Sequence, residues 1–464
     1  MSWWKDRSLW TAACFGLVIR AVPLLVWPGR RCTRDECTYL KIAKRMLDGE
    51  GMTTSGGWLW APGYPTLMAI HKWITGYGAT IRATQVLAGF LTTWLVYRLA
   101  QRMFVDEADP RSIEHANSTA RIAAWLYAAS PVMAFFTMSM WSESLYGALL
   151  LGLLLVLCRI TRLHEEPRPI RMAALAGFLA GCCVLFRGVA TYMVPIFAFG
   201  LLWRRWKQSR AWAQAGALVA AALLTVSPYS IYASTKFEAF IVSDRTLGQM
   251  MWLGNNDFEP LTFDFGNGQL SKRAYARHIA DGRPHCAPRK QGVERDDCAT
   301  KEGIEWIRAN PQEFVRRMPM RLAQMLTPHS LLTRHLRWGR WKGMPQVADE
   351  FIVLWGALWS MFVMVGGTLG LAARGRGAMG LTIAALLCYH GAAVSALAGL
   401  SRYRVPLEPL WMLYAAMLLA DPRGTLSQLR TEPWRGAVAI VSLCVVMPLV
   451  LWYLPAGWTW WRSW

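Results

Sequence analysis

The sequence has 464 residues, of which 54% are apolar and only 17% charged. Soluble chains carry roughly 25% charged residues, and here the charge sits in short clusters between long apolar runs, which excludes a soluble enzyme, a disordered chain and a DNA-binding module. The net charge of +21 does not point to nucleic acid either. Residues 236–349 hold 18 Lys/Arg against 13 Asp/Glu, so the longest polar region carries only +5 of it. The rest borders apolar segments, as the positive-inside bias of membrane proteins requires.

Apolar stretches fall near 8–27, 80–102, 119–138, 143–160, 173–203, 211–233, 351–372, 378–398, 404–420 and 436–454. The fifth, about 31 residues, exceeds the ~20 of a single crossing. Arg187-Gly188 interrupts it, and we read two short helices meeting at Arg187. The expected fold is an all-α polytopic membrane protein with about 11 membrane helices.

With the N-terminus in the cytoplasm, Arg98/Arg102/Arg111, Arg159/Arg162/Arg168/Arg171, Arg204/Arg205/Lys207/Arg210, Arg374/Arg376 and Arg423/Arg430/Arg435 all fall inside. A single crossing at 173–203 would put Arg204–Arg210 outside; the split removes that conflict. The C-terminus then lies outside. No small-residue cleavage site precedes Arg30, so the first segment reads as an uncleaved helix. The one glycosylation-type triplet, Asn117-Ser118-Thr119, falls inside, which favours a bacterial cytoplasmic membrane.

Three regions follow from this map. Residues 1–233 form an N-terminal membrane core with an external first loop at 28–79; 234–350 form an extracytoplasmic subdomain; 351–464 form C-terminal membrane helices. Within the subdomain Lys301–Met325 looks helical, with Pro311 marking a break or a new start. Cys32, Cys37, Cys286 and Cys298 all fall outside, where disulfides persist, and the pairs Cys32–Cys37 and Cys286–Cys298 are candidates. Sequence does not fix connectivity.

In the first loop Tyr39, Ile42, Ala43 and Met46 fall at i, i+3, i+4 and i+7, with Lys41, Lys44, Arg45 and Asp48 on the other face. That is an amphipathic helix suited to the membrane interface. Asp35 and Glu36 open it. They fit a capping box begun by Thr33, and they also fit chemistry at the membrane surface. Trp60-Ala61-Pro62-Gly63-Tyr64-Pro65 then precedes the second membrane helix. Ser130-Pro131, Ser142-Glu143-Ser144-Leu145, Phe186-Arg187-Gly188, Leu253-Gly254-Asn255-Asn256 and Ser401-Arg402-Tyr403-Arg404-Val405-Pro406 follow in order, at the ends of membrane segments.

An outer acidic pair, an interfacial helix and these motifs in this order resemble the GT-C superfamily. Its members are integral membrane glycosyltransferases using polyprenyl-phosphate-linked sugars, among them protein O-mannosyltransferases and lipid A aminoarabinose transferases. The Trp60-Ala61-Pro62 segment departs from the Glu-Lys-Pro-Pro-like loop of the aminoarabinose enzymes, so their substrate does not transfer.

The resemblance implies a hexosyl- or pentosyltransferase with a polyprenyl-phosphate sugar donor, and an envelope lipid, glycan or protein acceptor. It implies Asp35 as the catalytic acid that removes the acceptor proton, with inversion, and Glu36 as a cap, an acceptor-orienting group or a metal ligand. The leaving phosphate calls for cations, for which Arg187, Arg402, Arg404 and Arg245 are candidates. Arg187 is the sharpest, since a charge inside an apolar run is costly. Arg402 and Arg404 also suit headgroup snorkelling. Glu143 is a candidate acceptor or metal site, or a helix-start acid. Trp60 and Tyr64 are candidate substrate-loop residues. Some relatives use a divalent cation such as Mg or Mn. The rival reading is a transporter or flippase of lipid-linked sugars, against which stands the lack of a visible repeat.

Overall fold

The computed structural model describes residues 3–26, 32, 35–52, 58–105, 110–162, 168–257, 292–337, 339, 341 and 343–455. Among the described residues the chain is helical throughout, and its one β-bridge pairs Leu59 with Arg245. In chain order the N-terminal helices are α1 (Arg7–Val26), α2 (Asp35–Leu47), α3 (Gly63–Thr75), α4 (Ile81–Met103), α5 (Pro110–Ala128), α6 (Pro131–Met138) and α7 (Glu143–Arg162). Next come α8 (Pro169–Phe186), α9 (Val194–Leu202), α10 (Ser209–Phe237), α11 (Leu247–Gly254), α12 (Gly292–Ala309) and α13 (Pro311–Leu326). The chain closes with α14 (Leu331–Arg337), α15 (Gln346–Arg374), α16 (Gly377–Ala396), α17 (Glu408–Ala420), α18 (Pro422–Thr431) and α19 (Pro433–Trp452).

Seven of these, α1, α7, α8, α10, α15, α16 and α19, are long and apolar enough to cross a membrane. The fold is an all-α polytopic membrane protein. The other expected spans are present as helices that are shorter or more polar. α4 carries Arg82, Gln85, Arg98 and Arg102 in its 23 residues, and most of its length is packed against neighbours rather than lipid. α5 begins at Pro110, nine residues before the apolar run, because the polar Ser112–Ser118 stretch is itself helical.

The break at Arg187 is real: its backbone is extended, and a 3-10 turn over Gly188–Met193 leads into α9. Pro195 at the start of α9 is tolerated because the first turn needs no N–H there. The subdomain helix divides at Asn310-Pro311, as Pro311 predicts. α10 runs past the expected boundary at 233 to Phe237, and α15 begins at Gln346, before 350.

Buried arginines tie helix ends together. Arg20, inside α1, donates to the carbonyls of Gly16, Tyr127 and Ala128 and lies over the Tyr127 ring, so it caps α5. Arg321 of α13 donates to Ser395 and Ala396 oxygens at the end of α16, and to Gly254 oxygen and Asn255 Oδ1 at the end of α11. Helix C-termini present unsatisfied carbonyls, so one guanidinium fork joins three elements. The basic clusters at Arg98/Arg102, Arg204–Arg210, Arg374/Arg376 and Arg423–Arg435 all fall at one end of the bundle. Asp35, Glu143, Arg187 and Arg402 meet at the other.

Candidate active site

Asp35 is the first residue of α2, and the Cys32–Cys37 disulfide encloses it. α2 buries Glu36, Tyr39, Ile42 and Ala43, the face its sequence period marks, which leaves Asp35 turned off that face. Cys298 is also disulfide-bonded; Cys286, its expected partner, lies outside the described residues, as does Thr33 of the expected capping box. The remaining six cysteines, Cys14, Cys158, Cys182, Cys183, Cys388 and Cys444, form no disulfide among the described residues.

Four charged side chains from four distant elements converge. Arg187 donates to Glu143 Oε1 at 2.6 Å. Arg402 donates through Nε to the same oxygen and through Nη1 to Asp35 Oδ2. Glu143 is fully buried at the N-terminus of α7, where the helix dipole favours a carboxylate, and its Oε2 has no hydrogen-bond partner. Asp35 is the open member, with 36% of its side chain exposed against 10% for Arg402. The Arg402 guanidinium also lies 5.0 Å from the Trp141 ring centroid, and Arg187 faces Tyr146 and Tyr403 at 5.9 Å each. Those aromatic faces hold the cations without neutralising them.

Asp35, Arg187 and Arg402 line a cavity of about 360 Å³, bounded also by Tyr39, Trp60, Ser142, Asp244, Arg334 and His390, with Glu143 buried behind the two arginines. Burial pushes the Tyr39 phenol above its ordinary pKa, so it enters as a hydrogen-bond donor. Trp60 packs edge-on against Tyr39 with centroids 5.0 Å apart.

Asp244 is the member that sequence reasoning missed. Its carboxylate accepts the Gly188 N–H and, at 3.3 Å, the Thr246 hydroxyl, and burial pushes it up to about 6. A Cβ on Gly188 would lie 2.2 Å from Asp244 Oδ1, so the glycine after Arg187 is what admits the acid. The signal was present: Asp244 stands beside the chosen Arg245, in the polar segment after α10. Trp141, immediately before Ser142-Glu143, was passed over for the same reason.

Several expected site residues serve elsewhere. Glu36 is fully buried and accepts the Met140 N–H at 2.8 Å, fastening α2 to the segment before α7. Tyr64 is buried too, its hydroxyl donating to Gln85 Oε1 at 2.6 Å, and only Trp60 of that loop pair lines the cavity. Gly63 lets this loop approach α8, where a Cβ would sit 2.7 Å from the Phe186 ring. Arg404 pairs with Glu408 at 2.6 Å and donates to the Met325 and Thr327 carbonyls, away from the cavity. Neither phosphate binding nor headgroup snorkelling describes it. Arg245 pairs with Asp297 at 3.3 Å and Asp296 at 3.9 Å, tying the β-bridge at Leu59 to α12. Among the described residues no three acidic, His or Cys side chains converge on a metal position, and Arg402 already stands between Asp35 and Glu143.

Known structures share this architecture. AglB, the archaeal oligosaccharyltransferase from Archaeoglobus fulgidus, solved with an inhibitory peptide and a dolichol-phosphate, overlays at a TM-score of 0.51 and 14% identity, covering 99% of this chain and 56% of that one. The same enzyme tethered to an acceptor peptide containing the NVT sequon overlays at 0.53 and 14%, covering 100% and 56%. The chain thus spans about half the length of these structures. ArnT from Cupriavidus metallidurans bound to undecaprenyl phosphate overlays at 0.42 and 12%, covering 92% and 78%, too loosely to bear on the fold. No family model and no curated protein matches the sequence. The chain shares its fold with these oligosaccharyltransferase structures.

Proposed function

We propose that the protein is a GT-C-type glycosyltransferase that moves a hexosyl or pentosyl group from a polyprenyl phosphate to an acceptor hydroxyl. It works at the outer face of a bacterial cytoplasmic membrane, on an envelope lipid, glycan or protein. The observation that carries the reading is the convergence of one partly open carboxylate, Asp35, with two buried guanidinium groups, Arg187 and Arg402, on one cavity at a bundle end. The fold shared with AglB, solved with a dolichol-phosphate, supports a lipid-linked donor.

In this reading the donor phosphate lies against Arg402 and Arg187, whose forked N–H groups match phosphate oxygens. It takes the place of Asp35 on Arg402, which frees the carboxylate to face the acceptor. The acceptor oxygen attacks the anomeric carbon as its proton passes to an Asp35 oxygen. The bond from that carbon to the phosphate oxygen breaks, the electron pair leaves with the phosphate, and the configuration inverts. Tyr39 and Asp244 are placed to bond sugar hydroxyls, and Trp60 to stack on the ring. Glu143 holds both cations in register throughout. No step is routed through a metal ion.

The test is release of free polyprenyl phosphate by wild type and Asp35→Asn protein, given several polyprenyl-phosphate sugars and envelope acceptors. Release that disappears in an equally stable variant is expected. Donor movement across a liposome without consumption would replace this reading with a flippase.

A further inference from the structure

A second, larger cavity of about 1090 Å³ lies between α15, α16 and α19, closed on one side by α13 and by Trp203 and Arg204, which follow α9. Its floor is one face of α16, formed by Gly377, Gly380, Ala384, Gly391, Ala392 and Ser395. From Gly377 to Ser395 that face runs about 27 Å at 1.5 Å per residue, longer than one leaflet's share, roughly half, of the ~30 Å hydrocarbon core, so it has room for the full length of a phospholipid's acyl chains. Its walls are apolar: Leu371, Leu381, Leu387, Val438, Val441 and Val445. Such a lining offers water too few polar partners to fill it.

The charge is confined to one end. Arg204, Arg376 and Arg435 line the mouth opposite the catalytic cavity, whereas Leu322, Met325 and Leu326 close the end nearer to it. Arg376 and Arg435 share a single acid, Glu432. Arg435 also caps α15 through the Ala372 and Ala373 carbonyls. Arg204 is exposed, lines the mouth and has no ion pair among the described residues. Three cations therefore face one carboxylate above a long apolar groove.

We propose that this groove binds one anionic membrane phospholipid, with its acyl chains along α16 and its headgroup on Arg204. The charge lies at the end of the bundle opposite Asp35, so this lipid is distinct from a donor whose phosphate meets Arg187 and Arg402. It is a resident lipid, bound whether or not the chain is turning over substrate.

The experiment is native mass spectrometry of purified protein exchanged into micelles containing equal phosphatidylglycerol and phosphatidylcholine. Wild type is expected to retain one phosphatidylglycerol. Arg204→Glu, at a position with no ion pair among the described residues, lowers the phosphatidylglycerol-to-phosphatidylcholine ratio about fivefold or more, and Arg204→Lys keeps it. Ala384→Phe, which fills the groove midway, loses the lipid. Equal retention of both lipids, or unchanged retention in Arg204→Glu and Ala384→Phe, overturns the proposal. So does a lipid-free wild-type dimer that Ala384→Phe dissociates, since a second copy would then cover the groove.

Discussion

Asp35 and Arg402, separated by 367 residues in the chain, form one ion pair at the mouth of the cavity. Through Arg402 the same pair reaches Glu143, and through Glu143 it reaches Arg187. The proposed base and the proposed phosphate ligands are thus a single connected network, and a change at one member is felt by the others.

Arg402 contacts its two carboxylates with two different nitrogens. Lysine offers a compact point charge and cannot span both in that geometry. Arg402→Lys is expected to lower kcat/KM about 10–100-fold, or ~1.4–2.8 kcal/mol, with the fold retained. Wild-type kcat/KM in this variant would show that only charge matters at this position.

Glu143 is fully buried between two guanidinium groups. Glu143→Gln leaves the two neighbouring cations without the carboxylate that bonds both of them. Breaking one side of a buried pair costs about 3–5 kcal/mol. The variant should melt well below wild type, even without substrate; an unchanged melting temperature contradicts the pairing.

Asp244 gives a pH signature. Its folded pKa of about 6 lies above the ordinary carboxylate value near ~3.9. Between those values the folded state holds more of the proton than the unfolded state. The contribution to stability therefore falls as pH rises from about 4 to 6, then stays level. Asp244→Asn removes this term. Relative to the variant, wild type should lose at most about 3 kcal/mol across the window, read as melting temperatures of both proteins at several pH values. A constant difference between the two would sink the assignment.

Gly188→Ala should displace the Asp244 carboxyl, since the new Cβ lies 2.2 Å from its Oδ1. Overpacking of this kind costs about 1–3 kcal/mol. In an Asp244→Ala background the same change should be close to neutral, because the colliding atoms are gone. Additive losses in the double-mutant cycle would mean that the two residues do not meet.

Arg321 bonds the ends of both α11 and α16, beside the Asn255 amide, which donates to the Ala396 carbonyl at 3.1 Å. Arg321→Ala should leave several buried carbonyls unpaired, each costing about 1–3 kcal/mol. Limited proteolysis should then cut near Asn255 or Leu397 well before wild type is cut. Equal cleavage rates would assign the docking to other contacts.

Membrane class, the split at Arg187 and the helix beginning at Asp35 were legible because each is a local signal: run length, an interrupting charge, a period of 3.6. The catalytic network was legible only as candidates. Glu143 and Arg402 stood out as charges at the ends of apolar helices, yet nothing local distinguishes Arg402, which reaches the cavity, from Arg404, which turns to Glu408. The two are neighbours on a 3-10 turn, and their destinations depend on α13 and α15 from elsewhere in the chain. Asp244 was hidden because its partner is the absence of a side chain at Gly188, a complementarity that exists only after folding.

The Cys32–Cys37 bond closes a ring of six residues around Asp35. So small a ring removes little entropy from the unfolded chain and adds little to global stability. Its effect is on timing. With the first loop on the outer face, as in the proposed reading, the thiols pair only after it has crossed into an oxidising compartment. Until then Asp35 sits on an untethered helix start, and Arg402 does not arrive before the last third of the chain has been synthesised. In that reading the site is completed late in biogenesis, on the far side of the membrane, and an unfinished chain lacks Arg402.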